Sequence, residues 1–143
     1  MEWQMVHENL KTGKCKWHGS YPSRKMGLQY APEVLDGNFD EIGVGIDEKD
    51  DLIGDFMQCG GKMAVVVGDV QFFLTKRMFD VCGKRVADPS GSVRIGGKAK
   101  WKDPDGGRVV EVIVDAIDSP EMVKCHTEDG SAVECPWNEL SAA

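Results

Sequence analysis

The chain has 143 residues, of which 41% are hydrophobic and 29% are charged, and its formal net charge at pH 7 is -7. This length and composition suit one ordinary domain or two very small ones, and they disfavour wholesale disorder. The negative charge disfavours a general nucleic-acid binder, because neutralising phosphates requires clustered lysine and arginine. No apolar run approaches the roughly 20 residues of a membrane-spanning helix, and the N-terminus lacks the pattern of a secretory signal.

The first third of the chain predicts short, irregular elements. Polar and apolar residues alternate over much of the segment 2–7, which predicts a short strand. Residues 11–25 are rich in glycine, proline and serine, which favours turns. A short helix is expected to begin at Pro32, because proline fits the first turn of a helix. Residues 41–47 alternate apolar residues with acids and glycines, which predicts a half-buried strand.

The clearest element of this half is a β-hairpin over residues 63–74. Two apolar, β-favouring runs flank Gly68 and Asp69, and this pair suits a tight hairpin turn because glycine adopts positive φ without a steric penalty. The segment from Thr75 to Gly83 is predicted to form a helix of about two turns, with the threonine as its N-cap and the glycine ending it.

A linker containing proline and glycine is predicted over residues 86–92. It places a boundary near residue 90, with a small α+β unit over residues 1–90 and a second unit over residues 91–143. The second unit has 53 residues, which is few for an independent core, so the two units are expected to pack together.

Beyond the boundary, short strands alternate with strong turn sequences. Aspartate, proline and glycine in these turns favour tight reversals, because proline presets φ and aspartate bonds the local backbone. A short 3₁₀ turn is expected at residues 137–140. Evenly spaced short strands are typical of a small closed or partly open barrel. The predicted strands lie at residues 98–102, 108–118, 122–127 and 132–135, with turns at 103–107 and 128–131.

This C-terminal pattern resembles a group of small β-barrels. The resemblance rests on the segment 97–105, the valine-rich run 109–114, the segment 128–136 and the closing residues 138–140. Together they look like SH3-like barrels, nearest in pattern to the KOW and Tudor types, and the same layout occurs in small uncharacterised bacterial and mobile-element proteins. The resemblance implies a binding module for peptide, protein or RNA. The whole chain is therefore expected to be a mostly-β α+β protein, with a small mixed unit packed on an SH3-like barrel.

Charge is unevenly distributed along the chain. Residues 33–55 carry nine acids against one base, Lys49, a net charge of -8. Two interpretations stay open: a solvated surface that keeps the protein soluble, or a negative patch that meets a basic partner. Trp17 lies within a basic stretch and is the tryptophan expected at an interface. The predicted partner-binding residues are Trp17, Glu33, Asp36, Asp40, Glu41, Asp47, Glu48, Asp50, Asp51 and Asp55.

Cysteine and histidine residues offer two other kinds of chemistry. Cys15 and His18 have Cys-x-x-His spacing, and Cys125, His126 and Cys135 are further candidates for a four-ligand zinc site. A catalytic cysteine–histidine pair also stays open, because its members need only meet in space. Neither pattern is specific, so no metal, cofactor or catalytic residue is predicted.

The favoured hypothesis is a non-enzymatic protein-binding module that acts through its acidic surface. The chain has five cysteines and no export signal, which indicates reduced thiols and a cytoplasmic location. By analogy with compact acidic proteins of phages and mobile elements, we expect inhibition of host nucleic-acid machinery through a protein partner with a basic surface, without direct nucleic-acid or membrane binding. Two alternatives stay open: a metal-dependent or thiol enzyme, and an RNA- or ribosome-associated barrel.

Overall fold

The computed structural model describes residues 2–76, 78–79, 84–85 and 91–142. These residues form two α-helices, a 3₁₀ helix and nine β-strands in two antiparallel sheets, so the predicted mostly-β α+β fold is confirmed. In chain order the elements are β1 (Trp3–Asn9), β2 (Cys15–Tyr21), α1 (Arg24–Glu41), α2 (Ile46–Gln58), β3 (Val65–Val67), β4 (Val70–Lys76), β5 (Lys98–Lys102), β6 (Val109–Ser119), β7 (Met122–Thr127), β8 (Ala132–Cys135), the 3₁₀ helix (Trp137–Glu139) and β9 (Leu140–Ala142).

The first sheet has the strand order β2-β1-β4-β3. The predicted hairpin is confirmed as β3 and β4, and Gly68 in its turn has the positive φ of 57° that favours glycine. The predicted first strand is confirmed as β1. The turns predicted over residues 11–25 are wrong for residues 15–21, which form β2. Five of these residues pair with β1, across a register shift between Gln4 and Val6, and this pairing outweighs the local preference of Gly19 and Ser20 for turns.

Two helices cover one face of the first sheet. Helix α1 begins after Ser23, whose hydroxyl oxygen accepts a hydrogen bond from the Met26 N–H at 3.2 Å. The predicted start at Pro32 is therefore wrong, since this proline lies inside the helix. The strand predicted at residues 41–47 is also wrong, because these residues end α1, turn, and begin α2. We call α1 and α2, with the turn between them, the helical hairpin.

The helical hairpin packs on the first sheet through a continuous apolar core. The buried residues of α1 recur every four positions, at Gly27, Ala31, Leu35 and Phe39. A Cβ on Gly27 would lie 2.8 Å from a methyl carbon of Leu74, so only glycine permits this close approach of α1 to β4. The sheet contributes the buried side chains Met5, Val65, Phe72 and Leu74, and α2 contributes Phe56.

The helix predicted to begin at Thr75 is wrong at its start, because Thr75 and Lys76 continue β4. Phe79 is also not helical, since it forms an isolated antiparallel bridge with Arg85. Residues 77 and 80–83, and the part of the predicted linker over residues 86–90, lie outside the residues that the structure describes.

The second sheet has the strand order β8-β7-β6-β5-β9. The four predicted strands and the 3₁₀ turn are confirmed, and Val112 and Val114 of β6 are buried. Strand β9 was not predicted from the sequence. It pairs with β5, so the last strand returns beside the first strand of the meander.

The two sheets share their core. Cys59 and Met63, which precede the first hairpin, lie in the same buried cluster as Val112, Val114 and other residues of the second sheet. Ile117 of β6 contacts this cluster and also the cluster on the face of the first sheet that is turned away from the helices. Residues from both sides of the predicted boundary therefore pack together in one buried cluster.

Candidate functional site

The helical hairpin carries all nine acids of the segment 33–55. They lie outside the positions that pack on the first sheet, so the fold gathers them on one helical layer. Two of them, Asp36 and Asp55, are half-buried. The other seven are exposed, namely Glu33, Asp40, Glu41, Asp47, Glu48, Asp50 and Asp51.

The one base of this segment pairs with two of its nine acids. Lys49 is 9% exposed, and its ammonium lies 2.8 Å from a carboxylate oxygen of Asp36 and 2.8 Å from one of Asp40. These two hydrogen bonds raise the pKa of Lys49, so it stays charged and joins α2 to α1. The exposed charged side chains of the segment 33–55 are consequently all carboxylates.

Helix α1 has charges at its ends that oppose its own dipole. Its first residues, Arg24 and Lys25, are basic, while its last residues, Asp40 and Glu41, are acidic. Charges in the reverse arrangement would stabilise a helix by about 0.3–1 kcal/mol each. The charge pattern of α1 is therefore not explained by helix stability, and it concentrates negative charge at the turn between the helices.

The same turn exposes large apolar side chains. Ile46, the first residue of α2, is 73% exposed, and Ile42, which ends α1, is 49% exposed. Met57 near the end of α2 and Tyr30 on α1 are also exposed. A surface that combines carboxylates with uncovered isoleucines can attract a basic partner at long range and then bury apolar area against it.

Trp17 does not belong to this surface. It lies on β2, half-buried, and stacks on Phe79 with ring centroids 5.3 Å apart. Both rings belong to the cluster on the sheet face opposite to the helices. The structure thus brings the predicted acids together but separates them from the predicted tryptophan.

A pair of histidines lies on the helix-facing side of the first sheet. The Nδ1 atom of His7 and the Nε2 atom of His18 are 2.6 Å apart, and the His7 ring meets the edge of Phe72. Burial lowers the pKa of both imidazoles, and the positive charge of Lys16 adds to this effect, while Glu41 opposes it. A sequence pattern does not show this pair, because it depends on the register of β1 against β2.

The Cys and His residues proposed as zinc ligands do not converge. Cys15 lies in the cluster on one face of the first sheet, whereas His18 lies on the other face with His7. His126 binds the Asp115 carboxylate at 2.8 Å on the outside of the second sheet, while its neighbour Cys125 points into the core. Within the described residues, no group of three His, Cys, Asp or Glu side chains has the geometry of a metal site.

Three thiols are buried in the core cluster of the second sheet, which disfavours nucleophilic chemistry. Burial raises the pKa of Cys59 to about 11 and that of Cys135 to about 12, and it also raises the pKa of Cys125. Since the thiolate is the nucleophile, these raised pKa values disfavour the reactive form of the three cysteines at neutral pH. Cys82 lies outside the described residues.

Comparisons with other proteins do not favour any of the candidate functions. No family model, curated protein or solved structure matches this chain. Within the described part of the chain, neither helix has the length and apolarity required to cross a bilayer.

Proposed function

We propose that this protein is a non-enzymatic binding protein whose helical hairpin docks on the basic surface of a protein partner. The observation that carries this proposal is the exposure of seven carboxylates on the same helical layer as Ile42 and Ile46. The acids provide long-range attraction and accelerate encounter, and the isoleucines provide the apolar area that holds the complex.

The partner belongs, in this proposal, to the host nucleic-acid machinery. Proteins that bind nucleic acids present basic surfaces shaped for a negatively charged ligand, and a rigid layer of carboxylates competes for such a surface. The protein would then act as an inhibitor in the cytoplasm, as expected for a phage or mobile-element accessory protein. The unpaired state of the four described cysteines is consistent with a reducing compartment.

The resemblance of the C-terminal part to SH3-like barrels remains part of the proposal. Three features support this resemblance. Strands β5 to β8 form a meander, a 3₁₀ turn follows them, and the last strand, β9, pairs with β5. In this view the barrel is a stable support, and the contribution of the N-terminal part is the charged helical layer.

A charge-neutralised variant of the helical hairpin tests the proposal. In the test variant Asp47→Asn, Glu48→Gln, Asp50→Asn and Asp51→Asn remove four negative charges, which changes the formal net charge from -7 to -3. Partners captured from the source cell by the wild-type protein should be identified and purified, and their association rates measured at low and high salt. We expect the association rate of the variant to fall at least about tenfold at low salt, with a smaller loss at high salt.

A matched control separates a docking surface from total charge. Four exposed acids outside the helical hairpin can be neutralised to reach the same net charge: Asp69→Asn, Asp105→Asn, Asp118→Asn and Glu134→Gln. This control should retain most of the wild-type association rate. Equal losses in the two variants, or an unchanged rate in the test variant, would show that the helical hairpin is not the docking surface. Capture of RNA in place of a protein would favour the RNA-associated alternative.

A further inference from the structure

A groove lies at one end of the second sheet, away from the helical hairpin. It has a volume of about 510 Å³ and lies between the β5–β6 turn and the β7–β8 turn. Because neighbouring strands are antiparallel, the β6–β7 turn lies at the opposite end of the sheet. Glu121 in that turn is close enough to the helical hairpin to raise the pKa of Asp55, whose burial is the larger cause. The groove is consequently remote from the acids of the proposed docking surface.

The floor of the groove is apolar and aromatic. Trp101 and Val110 line it, and they face each other as a cross-strand pair of β5 and β6. The indole N–H of Trp101 already donates to a Glu139 oxygen at 3.1 Å. The part of the half-buried ring that is left to a ligand is therefore its carbon surface, which suits an aliphatic or cationic side chain.

The rim of the groove is strongly acidic. Four carboxylates line it against the guanidinium of Arg108 and the ammonium of Lys98, which lies 3.7 Å from a Glu111 oxygen, so the groove keeps a net negative charge. The side chains of Asp103 and Asp129 accept backbone N–H bonds within their own turns, which fixes their positions. The Thr127 hydroxyl, with further hydrogen bonds from Ser131, lowers the pKa of Asp129 to about 2, so this carboxylate is ionised at neutral pH. The four carboxylates belong to Asp103, Glu111, Glu128 and Asp129.

Two rim side chains have no partner of their own. Across the residues that the structure describes, neither Arg108 nor Glu128 forms a side-chain hydrogen bond or ion pair. A second depression of about 200 Å³ is lined by Lys98, Ile113 and His126 on the other face of the sheet, and it shares Glu111 and Glu128 with the groove. The groove therefore offers an exposed unpaired acid and an exposed unpaired donor group beside an aromatic floor.

We propose that this groove binds a peptide segment through a lysine or arginine side chain. The aliphatic stem of that side chain lies on Trp101, and its cationic head meets Glu128 and the neighbouring carboxylates. Arg108 donates to a carbonyl oxygen of the peptide backbone. This second site is independent of the helical hairpin, and it gives the molecule two separate surfaces for basic partners.

Nuclear magnetic resonance titration of the ¹⁵N-labelled full chain tests the site. The probe is the capped peptide acetyl-Arg-Gly-Lys-Gly-Arg-amide, and its matched control has glutamine in place of each basic residue. At low ionic strength we expect saturable shifts of the Trp101 indole signal and of the backbone amides of residues 127–131 with the basic peptide alone. Shifts of equal size with the glutamine peptide, or no shift of these signals, would overturn the proposal.

Charge-reversal variants separate a site from a diffuse field. Glu128→Lys should weaken the peptide about threefold to tenfold, since it places a cation on the rim. Glu134→Lys, on β8 and outside the groove, makes the same change in net charge and should alter the affinity less than twofold. Equal effects of the two variants would reject a defined groove. Glu128→Gln should weaken peptide binding by an amount between those of the wild type and Glu128→Lys, and a dispersed NMR spectrum shows that this variant is folded. Spermidine is a cation without a peptide backbone. If it shifted the same signals with equal affinity, peptide binding would also be rejected.

Discussion

The side chains of two buried glutamines in the first sheet form hydrogen bonds with backbone groups that lie outside the sheet. Gln71 is fully buried, and its amide donates to a Glu8 oxygen at 2.7 Å and to the Ile95 carbonyl at 3.0 Å. Its amide oxygen accepts the Ile95 N–H at 2.8 Å. Gln4 holds the backbone of Met78 and Phe79 in the same manner. Side-chain amides thus satisfy buried backbone groups that no neighbouring strand reaches.

Gln71→Met should destabilise the protein by about 1–3 kcal/mol, because it leaves the Ile95 N–H without its partner and removes the shorter hydrogen bond to the Ile95 carbonyl, which also accepts from Arg94 at 3.5 Å, while it preserves side-chain volume. The free energy of unfolding can be measured by urea denaturation at pH 7. Gln29→Met is a matched control on the exposed face of α1 and should change stability by less than about 0.5 kcal/mol. Indistinguishable midpoints for the two variants would contradict this role of Gln71.

The histidine pair makes stability depend on pH. Burial lowers the pKa of His7 and His18 in the folded protein below the ordinary value of 6.5. The unfolded chain therefore takes up these protons at a higher pH than the folded chain does, so stability falls as the pH falls below about 6.5. The paired variant His7→Gln with His18→Gln should show a shallower loss of stability between pH 7.5 and pH 5.

The same variant should cost about 0.5–1.5 kcal/mol at pH 7.5, where both imidazoles are neutral and share a hydrogen bond. Urea denaturation at several pH values measures both effects, and the histidine ring signals in NMR spectra report the protonation directly. A wild-type slope in the paired variant would mean that other groups cause the acid sensitivity.

At the scale of elements, sequence patterns succeed where local and tertiary preferences agree. Strands β5 to β8 alternate apolar and polar residues and are separated by Asp-, Pro- and Gly-rich turns, so their limits follow from sequence alone. The helical hairpin was missed because Ile42, Val44 and Ile46 alternate with glycines and mimic a strand. The four-residue spacing of the buried face of α1 was the informative signal, but Pro32 interrupts it and suggested a later start.

The candidate site was only partly accessible from the sequence. The acids could be found because they are local in the chain, and the helical hairpin keeps them together. The inward position of Lys49 and the separation of Trp17 from the acids depend on packing against other elements, which composition does not encode. The groove of the second sheet was also missed, since two distant turns meet there only after the strands pair.

Pro32 lies inside α1 and destabilises this helix, so replacing it is expected to increase stability. Proline has no N–H to donate to the Leu28 carbonyl and its ring crowds that carbonyl, which destabilises a helix interior by about 3 kcal/mol relative to alanine. Pro32→Ala should therefore stabilise the protein by about 1–3 kcal/mol, less any loss from the half-buried ring. Thermal unfolding measures the change, and Pro22→Ala, ahead of the Ser23 cap, should have little effect. A destabilised Pro32→Ala protein would show that the ring is needed for packing.

At the scale of the whole molecule, the two sheets are expected to unfold together. Met63 precedes β3, yet its side chain lies in the core cluster of the second sheet, and its backbone forms a parallel bridge with Val93. Glu8 and Arg94 form a largely buried ion pair between the first sheet and the segment that leads to β5. The core of the second sheet includes Cys59 and Met63 of the first half, and Ile117 packs on the face of the first sheet that is turned away from the helices, which favours one cooperative transition.

Met63→Ala should lower the free energy of unfolding by about 2–4 kcal/mol, because it removes buried volume where the sheets share their core. NMR signals of Val65 in the first sheet and of Val123 in the second should then disappear at the same, lower urea concentration. Met57→Ala removes the same side chain from a site that is 36% exposed and should shift both midpoints only slightly. If only the signal of Val123 responded to Met63→Ala, the second sheet would be a separate folding unit with an incidental contact, and the predicted boundary near residue 90 would divide two independent domains.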